Sequence, residues 1–447
     1  MAEGAGPKTK KLTPEEQEEA DEKALEEACE KWCARIIRLV TIGSMIMGLL
    51  SPVYEYIMRA PVIVHPMDLG GRTFVLTGAT DGIGTAAARR LLRDGARVII
   101  GARNLSRGTA AAAALGRETG NSAIEAQYLD LANLSSVVEF AAAVSETGSA
   151  DDEAEGGVSL TALLNNAGSL EGACTPTIDG FETSTQVNYL APALLTRLLL
   201  PRLELSVGAR VVHVSCPVAE KAKLTLEHLH ELPLVPDDDA PACDAFQRYA
   251  TAKLMTNAFS SKLSQRLAAR KDVGLSVFPV TSNVFDPVSV NTAFAAHQPA
   301  APAGRRRMSF MPQMLIRQGL AWVMAPMWRR LGRLFMRTPE AGGHGLVHVA
   351  ASPHLARVTG KLYSLQSTSG LSRESGCALP SPELCGQVPW SGAGAADLDA
   401  LWSATDAALA PWLTAAGGEP AAAAKKAPRE AAAGAAEEVA WPVDDDF

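Results

Sequence analysis

From residue 73 onward the chain alternates short runs of apolar and β-branched residues with longer stretches of helical pattern. Runs that are apolar almost without interruption are typical of parallel strands buried on both faces of a sheet. The alternation therefore predicts an α/β fold built on a doubly wound parallel sheet of about seven strands. The predicted strands are residues 73–77, 97–102, 126–130, 160–166, 210–215, 274–280 and 361–365.

A glycine-rich turn follows the first predicted strand, in the stretch TFVLTGATDGIGTAAARRLL at residues 73–92. Gly78, Gly82 and Gly84 stand between this strand and an alanine-rich helical pattern. At this place glycines permit a tight turn and let the backbone approach a pyrophosphate at the helix N-terminus. The turn predicts a Rossmann-type nucleotide site, although glycines also serve turns for purely steric reasons.

Tyr249 and Lys253 stand four residues apart in YATAK, at the start of a helical stretch. A tyrosine hydroxyl titrates near pH 10, so proton transfer at neutral pH needs a neighbouring cation. Lys253 lies one helical turn away on the same face and could supply that charge. Taken alone, such a pair also fits two solvated side chains on a helix surface.

With NNAG at 165–168 and VNYLAPALLT at 187–196, these motifs resemble the short-chain dehydrogenase/reductase family over residues 70–415. LDLANLSSV, RVVHVS, TPEAGGHGLVHVA and DLDALWSATDAAL resemble its retinol dehydrogenase-like branch. The resemblance implies that Tyr249 transfers the proton, Lys253 also holds the nicotinamide ribose, and Asn188 holds a water in the proton relay. The implied cofactor contacts are Gly78, Thr80, Asp81, Gly82, Ile83, Gly84, Arg103, Asp130, Leu131, Asn166, Ala167, Gly168, Tyr249 and Lys253.

The residues after the second strand indicate which nicotinamide cofactor is used. A carboxylate there would bind the ribose hydroxyls of NAD, whereas an arginine accommodates the extra phosphate of NADP. This chain has Arg103 and no acid, which favours NADP(H) over NAD(H), although Arg103 could also be a solvated loop residue. Asp130 and Leu131 match the position that contacts the adenine in relatives, and Asp130 could equally form a local turn.

Two positions depart from the family pattern. Relatives carry a substrate-binding serine at the end of the fifth strand, where this chain has Cys216, preceded by Ser215. A thiol is a weak hydrogen-bond donor, and adjacent strand residues such as Ser215 point to opposite faces. After the sixth strand, Val288 stands at a glycine position of relatives and would be awkward if that turn needs a positive φ.

The segments around the domain suggest contact with a membrane. Residues 1–34 are expected to form an acidic helical segment and 35–60 an apolar helix, which either lies in a membrane interface or packs on the protein. Residues 305–337, rich in methionine and arginine, are expected to cover a hydrophobic substrate and face a membrane, or to pack on the core with solvated arginines. The alanine-rich tail 416–447, with its acidic end, is expected to be disordered.

Composition limits the classes of binding partner and the cellular compartment that fit this chain. The formal net charge of −8 provides no basic field for nucleic acid. Seven scattered cysteines without metal-ligand spacing fit a reduced intracellular compartment, and the two candidate membrane segments favour membrane association.

These observations predict an NADP(H)-dependent oxidoreductase that interconverts an alcohol and a ketone or aldehyde on a hydrophobic, retinoid-, steroid- or lipid-like substrate. The alternative is a scaffold or assembly subunit on the same fold that binds nucleotide without turnover, and self-association as a homodimer is compatible with either. A relative of the protochlorophyllide reductases is a third hypothesis, which NNAG disfavours because that group usually carries NNAA.

Overall fold

A computed structural model describes most of the region expected to form the domain. The described residues are 66–146, 160–171, 173–222, 243–272, 279–288, 290, 337–365, 377–378, 386–387 and 395–416, with helical positions at 23, 31, 32, 34, 35 and 38. The chain divides into two compact units, Met1–Ala60 and Pro61–Phe447. All that follows concerns the second unit.

The described strands form one sheet. They are β1 (Thr73–Thr77), β2 (Arg97–Ala102), β3 (Ile124–Tyr128), β4 (Ala162–Asn165), β5 (Arg210–Val214), β6 (Thr281–Asp286), β7 (Lys361–Ser364), β8 (Cys377–Ala378) and β9 (Gly386–Gln387). Their order is β3-β2-β1-β4-β5-β6-β7-β8, and β9 pairs antiparallel with β7 while all other pairs are parallel. The predicted doubly wound sheet is confirmed, with two short strands added at one edge.

Helices cover both faces of this sheet. They are α1 (Gly82–Arg93), α2 (Leu105–Thr119), α3 (Leu134–Glu146), α4 (Ala191–Glu204), α5 (Ala245–Asp272), α6 (Pro339–Ala351) and α7 (Ala395–Ala416). A helical turn, Thr183–Thr185, and a π-helical turn, Gln186–Leu190, precede α4. One hydrophobic cluster joins the sheet to α3, α4, α5 and α7, and a second joins it to α1, α2 and α6.

The sixth strand lies later in the chain than the sequence predicts. The predicted strand is 274–280, of which 274–278 lie outside the described residues, whereas β6 is Thr281–Asp286. All six residues of β6 are buried, and two of its polar side chains bond within the fold: Ser282 shares a hydrogen bond with Ser260, and Asn283 donates to the Val358 carbonyl. Polar residues satisfied in this way hide a central strand from a prediction based on apolar runs.

Two cysteines form a disulfide that the sequence does not predict. Cys174 follows β4, and Cys243 lies just before α5, with Cα atoms 6.1 Å apart. The expectation that the cysteines are all reduced is wrong for this pair. Spacing alone could not identify the pair, because 69 residues of sequence separate the two cysteines.

The predicted membrane segments fall largely outside the described part of the chain. Of 35–60 it includes Arg35 and Arg38, and of 305–337 it includes Arg337; the tail beyond Ala416 is likewise not included. Within the described residues, no helix combines the length and apolar character needed to cross a bilayer.

Candidate active site

The glycine turn after β1 has the backbone geometry of a phosphate-binding loop. Gly78 and Gly82 have φ values of +70° and +58°, which favour glycine. A Cβ atom at Gly84 would lie 2.2 Å from the Gly78 carbonyl oxygen, so this position too requires glycine. Asp81 caps α1 by accepting a hydrogen bond from the Gly82 amide at 2.6 Å.

The NNAG segment after β4 braces this turn. The Asn166 side-chain amide donates to the carbonyl oxygens of Thr77, at 2.9 Å, and Gly78, at 3.1 Å. The Thr77 hydroxyl accepts from the backbone amides of Asn166 and Ala167 at 3.1 and 3.0 Å. The carboxyl ends of β1 and β4 are thereby joined, at the point of the sheet order where ligands of such folds bind.

A cavity of about 320 Å³ opens beside this turn. Its lining includes several residues that the sequence assigns to the cofactor, namely Gly78, Thr80, Arg103, Asp130, Leu131, Ala167 and Gly168. Ile83 differs, because its side chain packs toward Gly342 on α6. A glycine turn at a helix N-terminus beside a cavity fits the pyrophosphate of a dinucleotide.

At one end of the cavity the structure adds an arginine that the sequence prediction missed. Arg107 lines the cavity with Arg103 and lies on the first turn of α2, whose N-cap Asn104 accepts from the Arg107 backbone amide. The sequence feature that could have identified Arg107 is its position four residues after Arg103, in the first turn of a helix. Asp130 combines both of its predicted roles, since it lines the cavity and accepts from the Ala132 amide in a local turn.

At the other end, Gly168 connects the cavity to the predicted catalytic residues. A Cβ atom there would lie 2.7 Å from Asn188 Oδ1 and 3.4 Å from Lys253 Nζ. Asn188 lies in the π-helical turn, and its side chain is held by hydrogen bonds to the backbone of Ser169 and Ser184. Its own carbonyl accepts from the Thr256 hydroxyl of α5 at 2.9 Å, which ties the turn to the helix that carries Lys253.

Tyr249 and Lys253 are buried together on the inner face of α5, which disfavours the interpretation of a solvated surface pair. Lys253 Nζ lies 5.8 Å from the centre of the Tyr249 ring and donates to the Val214 carbonyl at 2.9 Å. Burial raises the pKa of Tyr249 well above its ordinary value, and the adjacent Cys216 and Asp286 raise it further. Burial lowers the pKa of Lys253. The pKa of Tyr249 is therefore raised, and not lowered as the sequence predicts.

Cys216 occupies the position at which relatives carry a serine. Its thiol is hydrogen-bonded to Tyr249, and burial raises the pKa of the thiol. The Ser215 hydroxyl is buried and has no hydrogen-bond partner among the described residues. Cys216, and not Ser215, therefore faces the reacting end of the site.

The turn after β6 retains the backbone conformation of a glycine turn although it carries a valine. Val288 has a φ of +60° and is the one non-glycine residue with a positive φ in the part of the chain that the structure describes. Asp286, just before it, is 5% exposed, and burial raises the pKa of its carboxyl to about 6. The charge of Asp286 in turn raises the pKa of Tyr249 and of the Cys216 thiol.

Comparison with known proteins identifies the family. The family model for short chain dehydrogenase matches residues 72–226. Mouse polyprenol dehydrogenase is 34% identical over 67% of this chain and 77% of its own, and mouse retinol dehydrogenase 12 is 31% identical over 74% and 89%. A crystal structure of an uncharacterized protein from Mycobacterium paratuberculosis aligns over 80% of this chain and 98% of its own, at 24% identity and a TM-score of 0.49. The chain belongs to the short-chain dehydrogenase/reductase family, in its retinol dehydrogenase-like branch.

Proposed function

We propose that the protein is an NADP(H)-dependent oxidoreductase that interconverts a hydrophobic alcohol and its carbonyl compound. The observation that carries this proposal is the burial of Tyr249 and Lys253 beside the half-buried Cys216, next to Gly168, which lines the cavity at the glycine turn. NADP(H), when bound, supplies or accepts the hydride. The chain's own residues must therefore orient the substrate oxygen and move one proton.

Tyr249 is the proton donor or acceptor. Because its pKa is raised, the hydroxyl is protonated at neutral pH, which is the state needed to give a proton to a carbonyl oxygen. The buried Lys253 ammonium stabilises the tyrosinate that remains, and the Val214 carbonyl fixes its position.

Cys216, which is hydrogen-bonded to Tyr249, orients the substrate oxygen. Its thiol is a weaker donor than the hydroxyl of relatives, so we expect slower turnover than a serine would give. The scaffold hypothesis remains the second candidate, and the Cys216 and Val288 departures favour it. A protochlorophyllide reductase-like activity stays the third prediction.

The two relatives suggest the substrate class. Polyprenol and retinol are both isoprenoid alcohols, and we infer that an isoprenoid alcohol or aldehyde is the substrate of this protein. The Cys174–Cys243 disulfide favours an oxidising compartment, such as the lumen of an organelle, over the reduced compartment first expected. Membrane association through 35–60 and 305–337, and homodimer formation, remain predictions.

The cofactor assignment is tested by titrating the purified protein with NADPH and NADH and following the fluorescence of the bound nicotinamide. A charge-assisted contact contributes about 1.5–3 kcal/mol, so Arg103→Ala or Arg107→Ala should weaken NADPH binding about 10- to 100-fold and leave NADH unchanged. The matched control is Arg117→Ala, at the exposed far end of α2, which should change neither affinity. Failure of both nucleotides to bind would give the scaffold hypothesis the lead.

A further inference from the structure

The turn after β6 contains a conformation that its sequence should disfavour. The left-handed region is open to glycine, but a β-branched side chain such as that of Val288 enters it only when the surroundings enforce it. Val288 is not a loose surface residue, because it packs against the hydrophobic cluster shared by α1 and α6. Something nearby must hold this backbone in place.

The Asp286 carboxylate provides that hold. Its Oδ1 accepts a hydrogen bond from the Val288 backbone amide at 2.7 Å, two residues along the chain. This is the side-chain-to-backbone bond by which aspartate mimics a backbone turn. Pro287, between the two, has a fixed φ and removes further freedom from the turn.

The carboxylate is itself fixed on the protein side. Asp286 is the last residue of β6, pairs with Ser364 of β7, and its carbonyl accepts from the Leu365 amide at 3.1 Å. Its side chain is buried, and the carbonyl of Phe285, the residue before it, accepts from the Ser215 amide at 2.9 Å, which places the end of β6 beside Ser215 and Cys216. Its charge raises the pKa of Tyr249 and of the Cys216 thiol. The turn is thus anchored to the sheet at one end and faces the reacting residues at the other.

We propose that Asp286 is a positioning residue that holds the Val288 turn beside Tyr249 and Cys216, replacing the conformational freedom of the missing glycine. This inference rests on the proposed function for its effect on turnover, but its structural part does not. It predicts a dependence between two positions: the acceptor at 286 is needed because the residue at 288 is a valine.

A double-mutant cycle tests this dependence in the full-length protein, with NADPH as the binding probe and retinaldehyde as the turnover probe. Asp286→Ala should weaken NADPH binding and lower kcat by about tenfold or more, since a strained conformer loses its support. Asp286→Asn keeps an acceptor oxygen in place and should stay within about threefold of wild type. Val288→Gly should restore the Asp286→Ala protein to within about threefold.

An exposed turn elsewhere in the chain provides the matched control. Asp68 Oδ1 accepts from the Gly70 amide at 3.1 Å in an exposed turn before β1, so Asp68→Ala removes the same kind of bond far from the reacting residues. It should leave NADPH affinity and kcat unchanged. An equal loss in that variant would show that the assay reports general destabilisation.

The outcomes separate this inference from the proposed function. If wild type binds no NADPH, the proposed function fails, and the cycle is then read from thermal unfolding of the free protein. There, Asp286→Ala should lower the midpoint more in the presence of Val288 than in the Val288→Gly background. Equal effects of Asp286→Ala in both backgrounds, in binding and in unfolding, would overturn the positioning role.

Discussion

Replacing Cys216 by serine should make the protein a faster enzyme. The thiol already lies within hydrogen-bond reach of Tyr249, so Cys216→Ser places a stronger donor where the substrate oxygen must lie. Loss of one such donor lowers kcat by about 10²–10³, and a thiol retains part of that donation. We therefore expect kcat to rise about 10- to 100-fold, which corresponds to about 1.4–2.7 kcal/mol of transition-state stabilisation.

The assay is NADPH-dependent reduction of retinaldehyde and of a short polyprenal, with kcat and KM determined separately. Because the change acts on the transition state, kcat should rise while KM stays nearly constant. Cys216→Ala should lower kcat, and Ser215→Ala, which removes a buried hydroxyl without a partner among the described residues, should leave it unchanged.

Several results would contradict this reasoning. A Cys216→Ser protein no faster than wild type, in an assay where Tyr249→Phe abolishes turnover, would show that the donor at 216 does not limit the reaction. If every variant turned over no faster than the Tyr249→Phe protein, the scaffold hypothesis would instead be supported. If kcat/KM rose only because KM fell, Cys216 would act in substrate binding and not in the chemical step.

Three further predictions concern the fold around the site. Cys243→Ser opens a 69-residue loop and should lower the free energy of unfolding by about 4 kcal/mol, measured by urea denaturation without reductant. Burial lowers the pKa of His213 from 6.5 to about 3, so unfolding takes up a proton between these values, and wild type should lose up to about 5 kcal/mol as pH falls from 6.5 to 3 relative to His213→Gln. Gly84→Ala, whose Cβ would collide with the Gly78 carbonyl, should abolish NADPH binding, whereas Gly116→Ala meets only ordinary contacts and should not.

The sequence predicts the fold well because its strongest signals are local. The predicted apolar runs overlap β1 to β5 and β7, and the glycine turn marks where β1 ends, whereas the two-residue strands β8 and β9 carry no such run. β6 is misplaced because it is polar in sequence although it is buried, and two of its side chains have partners distant in the chain: Ser282 bonds Ser260 on α5, and Asn283 bonds the Val358 carbonyl. Apolar periodicity cannot detect such a strand.

The candidate site shows the same division. Tyr249, Lys253 and Asn188 can be predicted from the sequence because each stands in a short motif, and the structure brings them together. The disulfide cannot be predicted from the sequence, since its two cysteines meet only after the chain has folded. Nor could the effect of the Asp286 charge on the pKa of Tyr249 be predicted, because it depends on β6 lying beside β5 in the folded sheet.

The burial of Lys253 provides the strongest argument against a retired site, and it leads to a final prediction. The side chain is 4% exposed and forms no ion pair with a carboxylate among the described residues; its ammonium donates to the Val214 carbonyl. Keeping a charge in such a place costs stability that a scaffold has no need to give up, because an apolar side chain of similar size would be cheaper. Lys253→Met should therefore raise the free energy of unfolding by about 1–3 kcal/mol while abolishing turnover. Urea denaturation of both proteins measures the first effect, and NADPH consumption with retinaldehyde measures the second. A variant that is less stable than wild type would mean that the ammonium supports the fold, and the argument from its burial would then fail.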